Sequence, residues 1–120
     1  MIKRFLLITF ILTLSVALIA CGKKYDKEID EVSKIQEKEI EERQSTDNRK
    51  YKRETTNIYV YEDGKVITLT YKPIKNSDTV TTKLYRKNET TGKYEQDYDA
   101  KKERYMKEHK PDYKEENLKE

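Results

Sequence analysis

The sequence predicts an α+β fold: one N-terminal helix laid across a curved, four-stranded antiparallel sheet, behind a short export signal. Three observations predict it. Apolar residues recur at helical spacing over residues 25–43. Runs of β-branched and aromatic residues then alternate with turn residues to about residue 98. A basic start at Lys3 and Arg4, and an apolar stretch from Phe5 to Ala20, precede both. A helix followed by a meander makes two layers, each burying its apolar face against the other.

In the helix, Tyr25, Ile29, Val32, Ile35 and Ile40 fall near one face. Asp26, Glu28, Asp30 and Glu31 near its start and Arg43 near its end suit the helix dipole. The polar segment Gln44-Ser45-Thr46-Asp47-Asn48 breaks the pattern and reads as a loop. Ile58-Tyr59-Val60-Tyr61 and Val66-Ile67-Thr68-Leu69-Thr70-Tyr71 read as a hairpin, the first strand reaching back toward Tyr51. Asp63-Gly64 between them is a hairpin turn signal, because both central residues of such a turn take positive φ. A third strand is expected from Thr79 to Arg86, with Val80, Thr82 and Leu84 on one face. After a turn at Asn88–Gly92, a fourth is expected from Lys93 to Tyr98.

Asp97 or Asp99 is placed to cap a short helix from Ala100 to Glu108, which Pro111 prevents from continuing. The charged stretch from Asp112 to Glu120 reads as a mobile tail. Ile58, Val60, Ile67, Leu69, Tyr71, Val80 and Leu84 are the expected inward side chains of the sheet. Tyr59, Tyr61 and Tyr85 then lie on the opposite face. They are the candidate partner-binding residues, because aromatic anchors concentrate binding energy.

At the N-terminus, Leu18-Ile19-Ala20-Cys21 resembles the lipobox of bacterial lipoproteins. That resemblance implies cleavage between Ala20 and Cys21 and a lipid on the Cys21 sulfur. The apolar run is short for a spanning helix, which needs ~20 residues. Cys21 is the only cysteine, so it has no disulfide partner within the chain. The organisation expected is a cleaved signal at 1–20, a lipid-anchored spacer at 21–24, a domain at 25–109 and a flexible charged tail at 110–120.

Removing the signal leaves 100 residues with 24 basic and 23 acidic side chains, since Lys3 and Arg4 go with it. The balance gives no lopsided basic field, and nucleic acid is not an expected partner. Leu, Ile, Val and Phe make up only 13 of those 100 residues, so the core must lean on the 10 tyrosines, all of which follow Cys21.

The lipobox, the opening Cys21-Gly22-Lys23-Lys24-Tyr25-Asp26-Lys27-Glu28-Ile29-Asp30, the helix and strands, and the ending Glu108-His109-Lys110-Pro111-Asp112-Tyr113 resemble staphylococcal cystatin-like fold lipoproteins. The resemblance implies a helix wrapped by a four-stranded antiparallel sheet, held by a lipid on the outer face of a Gram-positive cell membrane. It does not imply protease inhibition, because the Gln-x-Val-x-Gly loop of cystatin inhibitors is absent.

No catalytic residue, metal ligand set or cofactor motif is expected. His109 is the only histidine and stands near the chain's end, and no thiol cluster offers a zinc site. No phosphate loop or Gly-rich nucleotide motif occurs. The expected function is therefore a small non-catalytic binding domain on a lipid anchor. Its expected partners are the membrane, through Cys21, and a protein at the cell surface, within an envelope or DNA-transfer complex. A solute- or glycan-binding surface module is the alternative.

Overall fold

The computed structural model describes residues 24–43 and 46–118. The signal, Ala20, Cys21 and most of the spacer lie outside the described residues. The helix α1 spans Asp26–Glu42, as the apolar spacing predicts. β1 (Asn57–Tyr61), β2 (Val66–Tyr71), β3 (Thr81–Lys87) and β4 (Tyr94–Gln96) follow, then a short helix α2 (Lys102–Glu108) and β5 (Tyr113–Glu116). The sheet order is β4-β3-β2-β1-β5, with every neighbouring pair antiparallel.

The sheet thus has five strands, not four. The fifth comes from the segment expected to be a mobile tail. It pairs with the outer edge of β1, Val60 opposite Tyr113 and Asn57 opposite Glu116. Only one of its two inward side chains is aromatic: Tyr113, which meets the Tyr25 ring at 5.9 Å between centroids. The other is Glu115, whose charge finds its partner 62 residues away at Arg53. No local pattern announces such a strand.

α1 covers one sheet face. Ile29 and Val32 are fully buried against Ile58, Val60, Ile67, Leu69, Tyr85 and Tyr94. Gln36 joins them at the seam, while Ile35 and Ile40 are only partly buried. The spacing Tyr25, Ile29, Val32, Gln36 follows the helix period more closely than the all-apolar series does.

α2 covers part of the other face. Tyr105 and Met106 pack on Tyr61, Val66 and Leu84, which form a second buried cluster. This is how a mostly charged helix finds something to bury. It starts at Lys102 without a side-chain cap. The expected cap Asp97 instead accepts from Arg86 Nε at 2.8 Å and from the Asp99 amide.

The hairpin between β1 and β2 closes at Tyr61 opposite Val66, leaving a four-residue connection. Glu62, Asp63 and Gly64 all take positive φ, at 51°, 53° and 94°. The Tyr25 hydroxyl donates to Asp63 Oδ1 at 2.8 Å, and the Gly64 carbonyl accepts from the Tyr94 hydroxyl. Gly64 is buried, and a Cβ there would stand 3.7 Å from the Tyr25 ring on a backbone that disfavours side chains.

Candidate functional site

The three tyrosines expected to form a binding face do not come together. Tyr59 and Tyr61 share a face, but Tyr61 is buried beneath α2, edge-on to Tyr105 at 5.1 Å. Tyr59 is half-buried at the margin of the same cluster. Tyr85 stands on the opposite face, under α1. The β2–β3 register pairs Ile67 with Tyr85 and Thr68 with Leu84, so β3 alternates in the opposite phase to the one expected. Leu84 lies under α2, Tyr85 is core, and Val80 is half exposed. Both faces of this sheet are covered there, so apolarity alone could not set the phase.

Tyr85 has a structural use. Its hydroxyl donates to Gln36 Oε1 at 2.6 Å, and Gln36 Nε2 donates to the Tyr71 hydroxyl at 2.5 Å. One amide therefore satisfies two phenols inside the core. Burial pushes the Tyr71 hydroxyl up to about 12 and that of Tyr85 higher still.

A second polar centre gathers on Arg53. Its guanidinium lies 2.8 Å from Asp26 Oδ1 and 3.4 Å from Asp30 Oδ1, both on α1. It also grips Glu115 of β5 with two hydrogen bonds, 3.1 Å to Oε1 and 2.5 Å to Oε2. Tyr113 donates a further bond to Glu115 Oε2. Arg53 thus clips the last strand to the first helix. The guanidinium holds the Glu115 carboxyl below its ordinary value of 4.5.

A depressed carboxylate favours the native state above the unfolded-state value, and the gain disappears as pH falls through the native one. The protection of β5 amides, taken relative to their intrinsic exchange rate at each pH, should therefore fall below about pH 4.5, before that of β2 does. Glu115→Gln should flatten that pH dependence while leaving β5 less protected at neutral pH. Uniform loss of protection across the sheet would count against the clip.

The unassigned concave feature that stands out is a cleft of about 400 Å³ beside the end of β2. Arg49, Lys50, Lys52 and Lys72 line it, together with Thr56 and Leu118, and among the described residues no carboxylate does. The strand-like stretch before the Arg53–Thr55 turn is held firmly. The Arg49 amide donates to the Pro73 carbonyl at 2.8 Å, and Asn48 bridges to Ile74. Tyr51 is buried, with its hydroxyl 3.0 Å from Ser33 Oγ and its ring edge-on to Tyr71. Thr56 Oγ1 donates to the Lys52 carbonyl at 2.7 Å. Leu118 reaches the cleft because β5 carries the chain back along β1, and its amide donates to Asn57 Oδ1.

Sequence reasoning missed this cleft. The available signal was the run Arg49-Lys50-Tyr51-Lys52-Arg53, four basic residues in five with no acid, in a chain where Lys and Glu otherwise alternate.

His109 stacks on Tyr105 at 3.9 Å between ring centroids, and its Nδ1 lies 2.9 Å from the Tyr105 carbonyl. Among the described residues no group of three or more His, Cys, Asp or Glu side chains is placed to hold a metal, and no helix is long and apolar enough to cross a membrane.

The chain resembles the solved structure of a DUF4467 family protein from Staphylococcus aureus subsp. aureus Mu50, at 32% identity and a TM-score of 0.71. The match covers 79% of this chain and 99% of that one. Among curated proteins there is no match. Residues 25–117 match the domain of unknown function with cystatin-like fold, DUF4467. From helix α1 to the end of β5, the chain belongs to that family.

Proposed function

We propose that this protein is a lipoprotein on the outer face of a bacterial cell membrane, presenting a small non-catalytic binding domain. The observation that carries the proposal is Leu18-Ile19-Ala20-Cys21 standing directly before the fold, which begins at Tyr25. Two or more acyl chains on Cys21 would anchor it lastingly, whereas a single chain binds only reversibly.

The anchor is short. From Cys21 to Tyr25 the chain spans at most about 14 Å, at ~3.3–3.6 Å per residue. The end of the domain that holds Tyr25, the Glu62–Lys65 connection and Asp112 then faces the bilayer. The basic cleft sits at the other end of β2, ~20 Å further out at ~3.3 Å per residue. An anchored domain with its concave site turned outward suits a binding module. That cleft favours the solute-binding form of this reading over the tyrosine-face form, since Tyr61 and Tyr85 are buried.

Cys21→Ser should abolish incorporation of a palmitate analogue and leave an uncleaved precursor. Equal labelling of the variant and the parent chain would overturn the anchor.

A further inference from the structure

We propose that the cleft bounded by Arg49, Lys50, Lys52 and Lys72 binds a small ligand carrying a multiply charged phosphate group. This deepens the binding-module reading above and rests on it for the ligand's source, though the site itself stands on the geometry of the domain.

The argument begins with charge. Several basic side chains of this surface pair with carboxylates. Arg53 meets Asp26, Asp30 and Glu115, Arg86 meets Asp97, Arg104 meets Glu108, and Lys65 faces Glu89. Three of the four cations lining the cleft, Arg49, Lys50 and Lys52, make no such pair among the described residues. Among the described residues, Lys50 and Lys52 make no ion pair and both are exposed. The Arg49 guanidinium has a backbone carbonyl, that of Ile74, at 3.3 Å. Lys72 meets the fully exposed Asp78 at 3.5 Å, while its own side chain is mostly covered. Among the described residues, four cations and no acid line this one concavity.

An isolated surface lysine contributes little to an ion pair. Several cations around one anion add their fields, and a concave low-dielectric wall strengthens them. Lysine serves phosphate as a point charge, and arginine offers a planar fork to two of its oxygens.

Shape supports the same ligand. About 400 Å³ lies at the lower end of ordinary small-molecule sites, roughly 300–1,000 Å³. It suits a compact phosphorylated molecule. A long polyanion would need a continuous basic track, and the surrounding surface alternates in sign. The site is also preorganised. Arg49 is tied to the Pro73 and Ile74 carbonyls, buried Tyr51 pins the segment between Arg49 and Lys52, and Leu118 closes one side. A ligand would not have to order a loose loop, which lowers the entropic cost of binding.

The test uses residues 22–120, and the full chain in detergent beside it. The solved relative, matched over 99% of its length, shows that a domain of this family folds by itself. Pyrophosphate is titrated at constant ionic strength and amide shifts are followed by NMR, with chloride as the control anion. The expected result is saturable shifts at Arg49, Lys50, Lys52, Thr56, Lys72 and Leu118. Lys50→Glu with Lys52→Glu should weaken binding at least tenfold at an unchanged melting temperature, because both side chains are exposed.

Vesicles containing phosphatidic acid, whose headgroup is a phosphate monoester, form the second arm. Competition with pyrophosphate that the double variant abolishes assigns the phosphate to a lipid headgroup. Absence of competition assigns it to a soluble ligand, as the outward position of the cleft implies. Shifts that do not saturate, that spread over all surface lysines, that chloride reproduces or that survive in the double variant would overturn the site. Failure here leaves the labelling of Cys21 untouched, and failure of that labelling leaves this titration untouched, so the two ideas fall separately.

Discussion

Deleting residues 112–120 should lower the melting temperature by roughly 12–24 °C, for a loss of about 3 kcal/mol at ~4–8 °C per kcal/mol. The segment looks dispensable from its composition, yet it carries four kinds of contact. Its backbone completes the ladder along β1 from Asn57 to Val60. Tyr113 packs on Tyr25. Glu115 takes two hydrogen bonds from Arg53. Asp112 Oδ2 accepts from the Asp63 amide at 2.7 Å, bracing the hairpin connection.

Without them, β1 becomes an open edge, which invites pairing with another chain. Arg53 would keep Asp26 and Asp30 but lose its bidentate partner. Glu115→Ala alone should cost less than the deletion, since the ladder and Tyr113 remain. Thermal unfolding followed by circular dichroism, with light scattering to detect association, measures this. An unchanged melting temperature would mean that β5 does not pair with β1 in solution.

Gln36→Leu should cost about 2–6 kcal/mol, because it leaves two buried phenols without a partner at ~1–3 kcal/mol each. The side chain is 1% exposed, and both hydroxyls it serves are enclosed with it. The diagnostic result is recovery. Adding Tyr71→Phe and Tyr85→Phe to Gln36→Leu removes the unsatisfied groups together with their lost partner, and most of the stability should return. Removing both sides of a buried hydrogen bond can be nearly neutral when shape is kept. Denaturant midpoints for the single, double and triple variants form the test. Failure of the triple variant to recover would show that Gln36 matters through its packing and not through its two hydrogen bonds.

The legible parts of this fold were those with a local cause. α1 announced itself through apolar spacing and lack of breakers, β2 through an unbroken β-branched run, and the hairpin through Asp63-Gly64. Their observed bounds, Asp26–Glu42 and Val66–Tyr71, fall within a residue of those expected. The α+β class followed from the order of these elements.

Where a side chain's role depended on a distant partner, local pattern was silent or misleading. Gln36 has no place in the apolar series of the helix, because nothing nearby in the chain shows that Tyr71 and Tyr85 need an amide. Tyr85 looked like an outward ring because Leu84 beside it is the more apolar, yet a sheet covered on both faces buries each of them. Glu115 looked like part of a tail because Arg53, which holds it in a strand, is far away in the chain.

The basic cleft shows the same division. The run from Arg49 to Arg53 was visible as charge, but composition could not tell which of its residues were already neutralised. Folding sends Arg53 to three carboxylates and leaves Arg49, Lys50 and Lys52 to join Lys72 around a cavity walled by Leu118. The sequence by itself determined the helix, the hairpin and the lipobox-like segment at Cys21, because spacing, turn chemistry and motif are properties of neighbours. Only the tertiary structure decided the fifth strand, the phase of β3 and the convergence of the four cations. Each depends on pairs of residues that the chain brings together only when it closes on itself.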